Sequence, residues 1–149
     1  MARLDDTTSI DSAHAYRLQR VARLLRLDFQ RLAAELGLEV SIEQWFLLWR
    51  VYERGPCAQR ELADPAIDDR ANITRLIERL EAAGWLERDA DIEDARRKLV
   101  QLTPAGRARF ERLFPGIIAE RVRLFGGLDP RDLEAFERVL DHLEAAVGG

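Results

Sequence analysis

The chain has 149 residues, a formal net charge of -4 and a sequence pI near 5.3, with one cysteine and two histidines. That length is enough for one domain, or two interlocked subdomains, with a real core. A lone cysteine excludes an intramolecular disulfide framework, and there is no cysteine and histidine cluster for structural zinc. No apolar run is long enough to span a bilayer, and residues 1–10 are acidic and polar rather than signal-like, so a cytoplasmic protein is expected.

From about Ser12 the chain reads as a long helix. Leu18, Val21, Leu25, Leu32 and Leu36 share one face, and Gly37 is placed to terminate it. Ser41 with Gln44 has the form of a capping box for a second helix through Trp45, Leu48 and Val51, ending near Gly55 and Pro56. Residues 59–63 read as a short helix stopped before Pro65, after which Asp68 or Asp69 can cap the next.

That next helix carries the most chemistry. Ile73, Leu76, Ile77 and Leu80 fall on one side and require burial, while Ala71, Asn72, Arg75 and Arg79 project from the other, flanked by Arg70 and Thr74. Asn pairs with adenine and Arg with guanine through two hydrogen bonds, and Ala leaves room for a base or a thymine methyl. An ordinary solvated amphipathic helix would show the same periodicity, so the neighbours decide. Gly84 closes the helix, and residues 86–102 supply two extended segments around a charged loop with Asp94, Arg96 and Arg97. The order helix, turn, helix and wing is that of a DNA reader.

Thr103 and Pro104 supply a cap and an N1 proline for a helix through Leu113, Ile117, Ile118 and Val122 toward Gly126 and Gly127. Pro115 is expected to kink it or split it in two. After Asp129 and Pro130, the residues Leu133, Phe136, Leu140, Leu143 and Val147 make a narrow packing seam. The terminal helices have little local core to cover them, which a two-fold dimer would supply; it would also match two half-sites of a palindromic operator.

Gln59, Glu61, Leu62, Ala63, then Ile73, Thr74, Arg75, Leu76, then Leu80, Glu81, Gly84, Trp85, then Asp94, Arg96, and finally Leu102, Thr103, Gly106 together resemble the MarR family of winged-helix regulators. The similarity is tight from about Ser41 to Gly106 and looser in the helical flanks. The resemblance implies a mainly α chain: a winged helix-turn-helix at residues 41–103 with a small β-hairpin wing, between dimerisation helices at 1–40 and 104–149. It also implies a homodimer, a helix in the major groove and a wing arginine in the minor groove. The family's Asp-x-Arg wing motif falls on Asp94, Ala95 and Arg96, so Arg96 is expected to enter the groove and Asp94 to orient it. A narrow groove concentrates negative potential that a guanidinium answers without a detailed base code. Arg97 and Lys98 are expected near the phosphates or supporting the strand.

Charge poses a difficulty. From 69 to 106 there are seven Lys or Arg against eight Asp or Glu, so the segment is not basic, and binding needs geometry that aims the arginines while the acids face away. Of 23 basic residues only Lys98 is lysine, which favours forked contacts.

Trp45 and Trp49 are one turn apart and Tyr16 lies early on the first helix, a set suited to line a crevice between dimer helices and the DNA-reading domain, where the resemblance implies that small aromatic anions bind. Ring packing in the core is the competing account. Arg17, Arg20 and Arg50 are the cations open to a ligand carboxylate, and nothing chooses among them. Cys57, beside Pro56, is expected in a loop before a short helix whose N-terminus would lower its thiol pKa. The cysteine-sensing branch of the family places its reactive residue near the chain start, where this chain has none. His14 and His142 lack a carboxylate pattern for metal. There is no phosphate-cradling glycine loop or nucleophile elbow, so no enzyme, no metal and no cofactor are expected. The leading expectation is a homodimeric repressor of double-stranded DNA released by a small aromatic or anionic ligand. The alternatives are a redox-responsive regulator using Cys57 and a winged-helix protein-interaction module.

Overall fold

Ser9 accepts the N–H of Asp11 and opens a 3-10 turn, Ile10–Ser12, at the start of the computed structural model, which describes residues 9–64, 69–94 and 96–148. Five α-helices follow: α1 (His14–Glu35), α2 (Ile42–Arg54), α3 (Arg70–Ala82), α4 (Pro104–Phe125) and α5 (Pro130–Val147). Three short strands, β1 (Cys57–Ala58), β2 (Leu86–Ala90) and β3 (Lys98–Leu102), form one antiparallel sheet in the order β1-β3-β2. Packing divides the chain into two compact units, Met1–Trp45 and Phe46–Gly149. No described helix is long and apolar enough to cross a membrane.

In the first unit α1 buries Phe29 and Ala33 in its second half, while Leu18, Val21, Leu24 and Leu27 stay open to solvent. Gly37 stops α1 as expected, at φ 66°. The Gly37 N–H donates to Ala34 and the Leu38 N–H to Ala33, which satisfies two terminal carbonyls. The Ser41 capping box is present in both directions. The Gln44 amide N–H donates to Ser41 Oγ at 3.2 Å and the Ser41 N–H to Gln44 Oε1 at 2.9 Å.

In the second unit Leu47, Leu48, Val51, Leu62, Ile73, Ile77, Leu80, Trp85, Val100 and Phe110 are buried, which packs α3 and the sheet around one core. Burying Ile73, Ile77 and Leu80 contributes about 1.5 to 3 kcal/mol each over leaving them exposed, so the apolar stripe fixes the rotation of α3. Gly84 at φ 81° turns the chain from α3 into the wing, with the Trp85 N–H donating to Leu80 and the Gly84 N–H to Glu81.

Thr103 joins wing to α4. Its Oγ1 accepts the Gly106 N–H at 2.8 Å and donates to the Gly84 carbonyl at 2.7 Å, while its own N–H donates to the Trp85 carbonyl at 3.0 Å. Gly106 is what lets α4 approach so closely, because a Cβ there would stand 2.3 Å from the Trp85 carbonyl oxygen.

Three expectations change. The segment 59–63 is a single 3-10 turn, Gln59–Glu61, because Ala63 and Asp64 leave the helical path ahead of Pro65. The wing is three-stranded, since β1 pairs with β3 through Cys57 with Val100 and Ala58 with Leu99. Pro115 does not split its helix: α4 runs unbroken from Pro104 to Phe125. Ring contacts of Tyr52 with Phe110 at 4.5 Å and of Trp49 with Phe114 at 5.0 Å hold the turn before the proline in place.

Candidate nucleic-acid interface

Asp69 caps α3, its carboxylate accepting the Asn72 N–H at 2.6 Å; the other candidate cap, Asp68, lies outside the described residues. Starting the helix there places Ala71, Arg75 and Arg79 four residues apart along one exposed stripe, with Arg70 exposed at its head and Asn72 half-buried at its side. Thr74 is committed. Its hydroxyl donates to the Arg70 carbonyl at 2.8 Å and accepts the Gln59 side-chain amide at 2.7 Å, which ties α3 to the preceding turn.

The wing loop joins β2 to β3, whose pairing runs from Leu86 with Leu102 to Ala90 with Lys98. The Asp91 N–H donates to the Arg97 carbonyl at 2.8 Å, and the Arg97 N–H to the Asp94 carbonyl at 2.9 Å. The Asp94 carboxylate accepts the backbone N–H of Arg96 at 3.0 Å. The part the structure gives Asp94 is therefore to shape the turn at Arg96, rather than to grip the guanidinium. Ala95, between them, lies outside the described residues.

The acids and bases of this segment are engaged differently. Six of the eight acids between 69 and 106 accept hydrogen bonds from the segment's own neighbourhood. Asp69 caps α3, Glu81 pairs with Arg88 at 2.5 Å, Glu87 accepts from Gln101, Asp89 from Ala90, Asp91 from Glu93, and Asp94 from Arg96. Among the bases, Arg88 is held by Glu81 and Arg97 by Glu61 at 3.1 Å. Arg70, Arg75, Arg79, Arg96 and Lys98 have no ion-pair partner among the described residues, and all five are exposed. The unpaired cations of this segment are thus those of the α3 stripe together with Arg96 and Lys98 of the wing, while Arg97, expected near the phosphates or supporting the strand, pairs with Glu61.

The helix-turn-helix turn is held from several sides that periodicity does not show. Arg50 Nη1 donates to the Leu62 carbonyl at 2.8 Å, its Nη2 lies 3.8 Å from Asp64 Oδ2, and Arg54 donates to the Glu61 carbonyl. Glu61 Oε2 accepts the Ala58 N–H at 2.6 Å as well as Arg97. The Ala58 N–H, then the Arg97 charge, hold the Glu61 carboxyl below its ordinary pKa. A glutamate three residues after the turn's start was the available signal for Glu61; nothing local in the sequence pairs it with Arg97, 36 residues on.

The candidate effector residues differ in their immediate surroundings. Trp45 is fully buried, so the core account holds for it. Trp49 is half-buried, set edge-on to Phe114, and its indole N–H donates to Glu53 at 2.9 Å. It belongs to an aromatic group with Tyr52, Phe110 and Phe114, and the Arg107 guanidinium lies 5.0 Å from the Tyr52 ring centre. Tyr16 is exposed on α1.

Cys57 corrects the redox expectation. It stands in a strand, not a loop, it is buried, and burial followed by the nearby Glu61 charge pushes its thiol pKa up. The three-residue turn that follows has no helix dipole to oppose that. Burial and a raised pKa both work against the thiolate on which oxidation depends.

A sequence model of the MarR family matches residues 40–98. The transcriptional repressor NicR of Pseudomonas putida is 29% identical, over 81% of this chain and 77% of its own length. The crystal structure of a probable transcriptional regulator from Pseudomonas aeruginosa is 30% identical with a TM-score of 0.75, covering 91% of this chain and 99% of that one. The chain belongs to the MarR family. A third relative, BpsR of Bordetella bronchiseptica, whose DNA binding is regulated by 6-hydroxynicotinic acid, is 25% identical with a TM-score of 0.74 over 92% of this chain and 97% of its own. The MarR sequence match begins just before α2 and stops at the first residue of β3. The likeness to solved regulators extends the MarR architecture across the terminal helices.

Proposed function

We propose that this MarR family chain is a sequence-specific repressor that binds a palindromic operator in double-stranded DNA as a homodimer and is released by a small aromatic or anionic ligand. The observation that carries the reading is the sorting of charge: the exposed arginines of α3 and Arg96 of the wing stand unpaired while neighbouring acids are engaged in caps, turns and ion pairs. In that arrangement α3 enters the major groove, with Asn72, Arg75 and Arg79 near base edges, and Arg96 enters the flanking minor groove.

Dimerisation is supported by helices that a lone chain leaves uncovered. No α5 residue is buried, and Phe136 is 41% and Val139 52% exposed. On α1, Val21 is 51% exposed and Leu24 49%. Apolar faces of this extent ask for a partner, and two-fold symmetry pairs like surfaces. In this reading residues 41–103 read DNA and the helices on either side assemble the dimer. Release by an aromatic acid is supported by the BpsR relative and by the aromatic group around Trp49 and Tyr52 with Arg107 beside it.

Selection of bound fragments from the source genome by the purified protein tests the proposal. The expected outcome is a palindrome with half-sites about 10 base pairs apart, or a multiple of that. Recovery of fragments without a shared sequence would reject it.

A further inference from the structure

We propose that Arg97 is a positioning residue that pins the wing to the helix-turn-helix through Glu61, so that of the two adjacent arginines Arg96 is the one presented to DNA. The proposal rests on the DNA-binding reading above. Arg97 is the last residue before β3, and β3 lies against β1, with Leu99 opposite Ala58. That register brings the Arg97 side chain over the turn that follows β1, where its Nη2 donates to Glu61 Oε2 at 3.1 Å. Its enclosed Nε faces the Asp91 carboxylate at 3.9 Å, across the base of the loop. The backbone of the same residue closes that loop, accepting from the Asp91 N–H and donating to the Asp94 carbonyl.

Arg97 therefore joins three parts, its guanidinium facing the turn before α3 and the start of the wing loop, its backbone closing the loop's end. The planar guanidinium suits this, because Nη2 donates to Glu61 while Nε, buried and without a hydrogen-bond partner among the described residues, keeps the charge 3.9 Å from Asp91. Glu61 is itself held by the Ala58 N–H at its carboxylate and by Arg54 at its carbonyl. Arg96, one residue earlier, has no ion-pair partner among the described residues and is exposed. Adjacent arginines thus take opposite parts, one turned to the protein and one to the operator.

Arg97→Gln and Glu61→Gln test this, the second because glutamine still accepts the Ala58 N–H while losing the charge. Amide-exchange protection at Asp91 and Arg97 is expected to fall in both variants. Operator affinity is expected to fall by the same factor in each and no further in the double variant, with the logarithmic salt slope at the wild-type value. Minor-groove protection in the hydroxyl-radical footprint should weaken while the base preference set by Arg75 persists. Arg97→Lys keeps fold and charge, and should lose part of the exchange protection and affinity.

A phosphate contact would instead make the salt slope of Arg97→Gln shallower by about 0.9 and leave Glu61→Gln at wild-type affinity, which overturns the proposal. Additive losses in the double variant overturn it as well. If the wild type selects no operator, the DNA-binding reading fails by itself. Exchange at Asp91 and Arg97 then decides the pin, unchanged protection overturning it.

Discussion

Glu61 ties three neighbours together: its carboxylate accepts from the Ala58 N–H and Arg97, and its carbonyl accepts from Arg54. Its pKa is held down first by the Ala58 hydrogen bond and then by Arg97. A carboxylate with a depressed folded pKa stabilises the fold above its unfolded pKa, and that contribution is lost as pH falls through the folded value. The Ala58 amide is therefore expected to keep its exchange protection from neutral pH into the ordinary carboxylate range and to lose it below that. Titration of Glu61 by NMR at or above an unperturbed glutamate value would contradict the assignment. Cys57 offers the opposite case. With its thiol pKa raised by burial, the native protein should react slowly with a thiol reagent and at full speed in urea, and peroxide should leave DNA binding unchanged. The sequence placed this residue wrongly because a two-residue strand has no periodicity, and the partner that makes it a strand, Val100, is far along the chain. For Arg75 the contact expected is positional: Arg75→Ala should lose roughly 1 to 3 kcal/mol of binding and relax preference at one base position, measured over single-base operator variants.

Elements with their own terminal chemistry were legible before the structure. The Ser41 and Gln44 box, Gly37, Thr103 with Pro104 and Asp129 with Pro130 each mark a boundary through a bond between residues two to four apart. Elements whose form depends on distant partners were not. The Gln59–Glu61 turn is held by arginines from α2 and the wing, and α4 passes Pro115 because aromatic rings from α2 brace it. The same contrast orders two expected stabilities at the wing-to-α4 junction. Thr103→Ala removes a cap and the Gly84 bond and should cost about 0.5 to 2 kcal/mol. Gly106→Ala drives a methyl into the Trp85 carbonyl, backbone that has little freedom to move, and should cost about 1 to 3 kcal/mol. Urea unfolding of both variants reads these directly, and an unaffected Gly106→Ala midpoint would refute the close approach.

At the scale of the whole molecule, the exposed faces of α1 and α5 make assembly a condition of function in the proposed reading. Deleting 129–149 is expected to abolish both the dimer and operator binding, measured by sedimentation and by titration with a palindrome. A full-length protein that sediments as a monomer yet binds the palindrome tightly would defeat that architecture. The pairing of Arg88 and Arg97 with their own carboxylates also bears on how such a repressor finds its site. With a formal charge of -4, and with Arg88 and Arg97 tied to carboxylates of their own chain, such a repressor would approach DNA without the broad positive field that makes most binders cling to any duplex. Fewer phosphate contacts mean less residence on unrelated sequence, so fewer copies are sequestered along the chromosome. The cost falls on encounter rate, since steering over a distance is given up. Such a repressor trades speed of arrival for a low background of occupancy elsewhere, and it reaches its operator chiefly by passing over the rest.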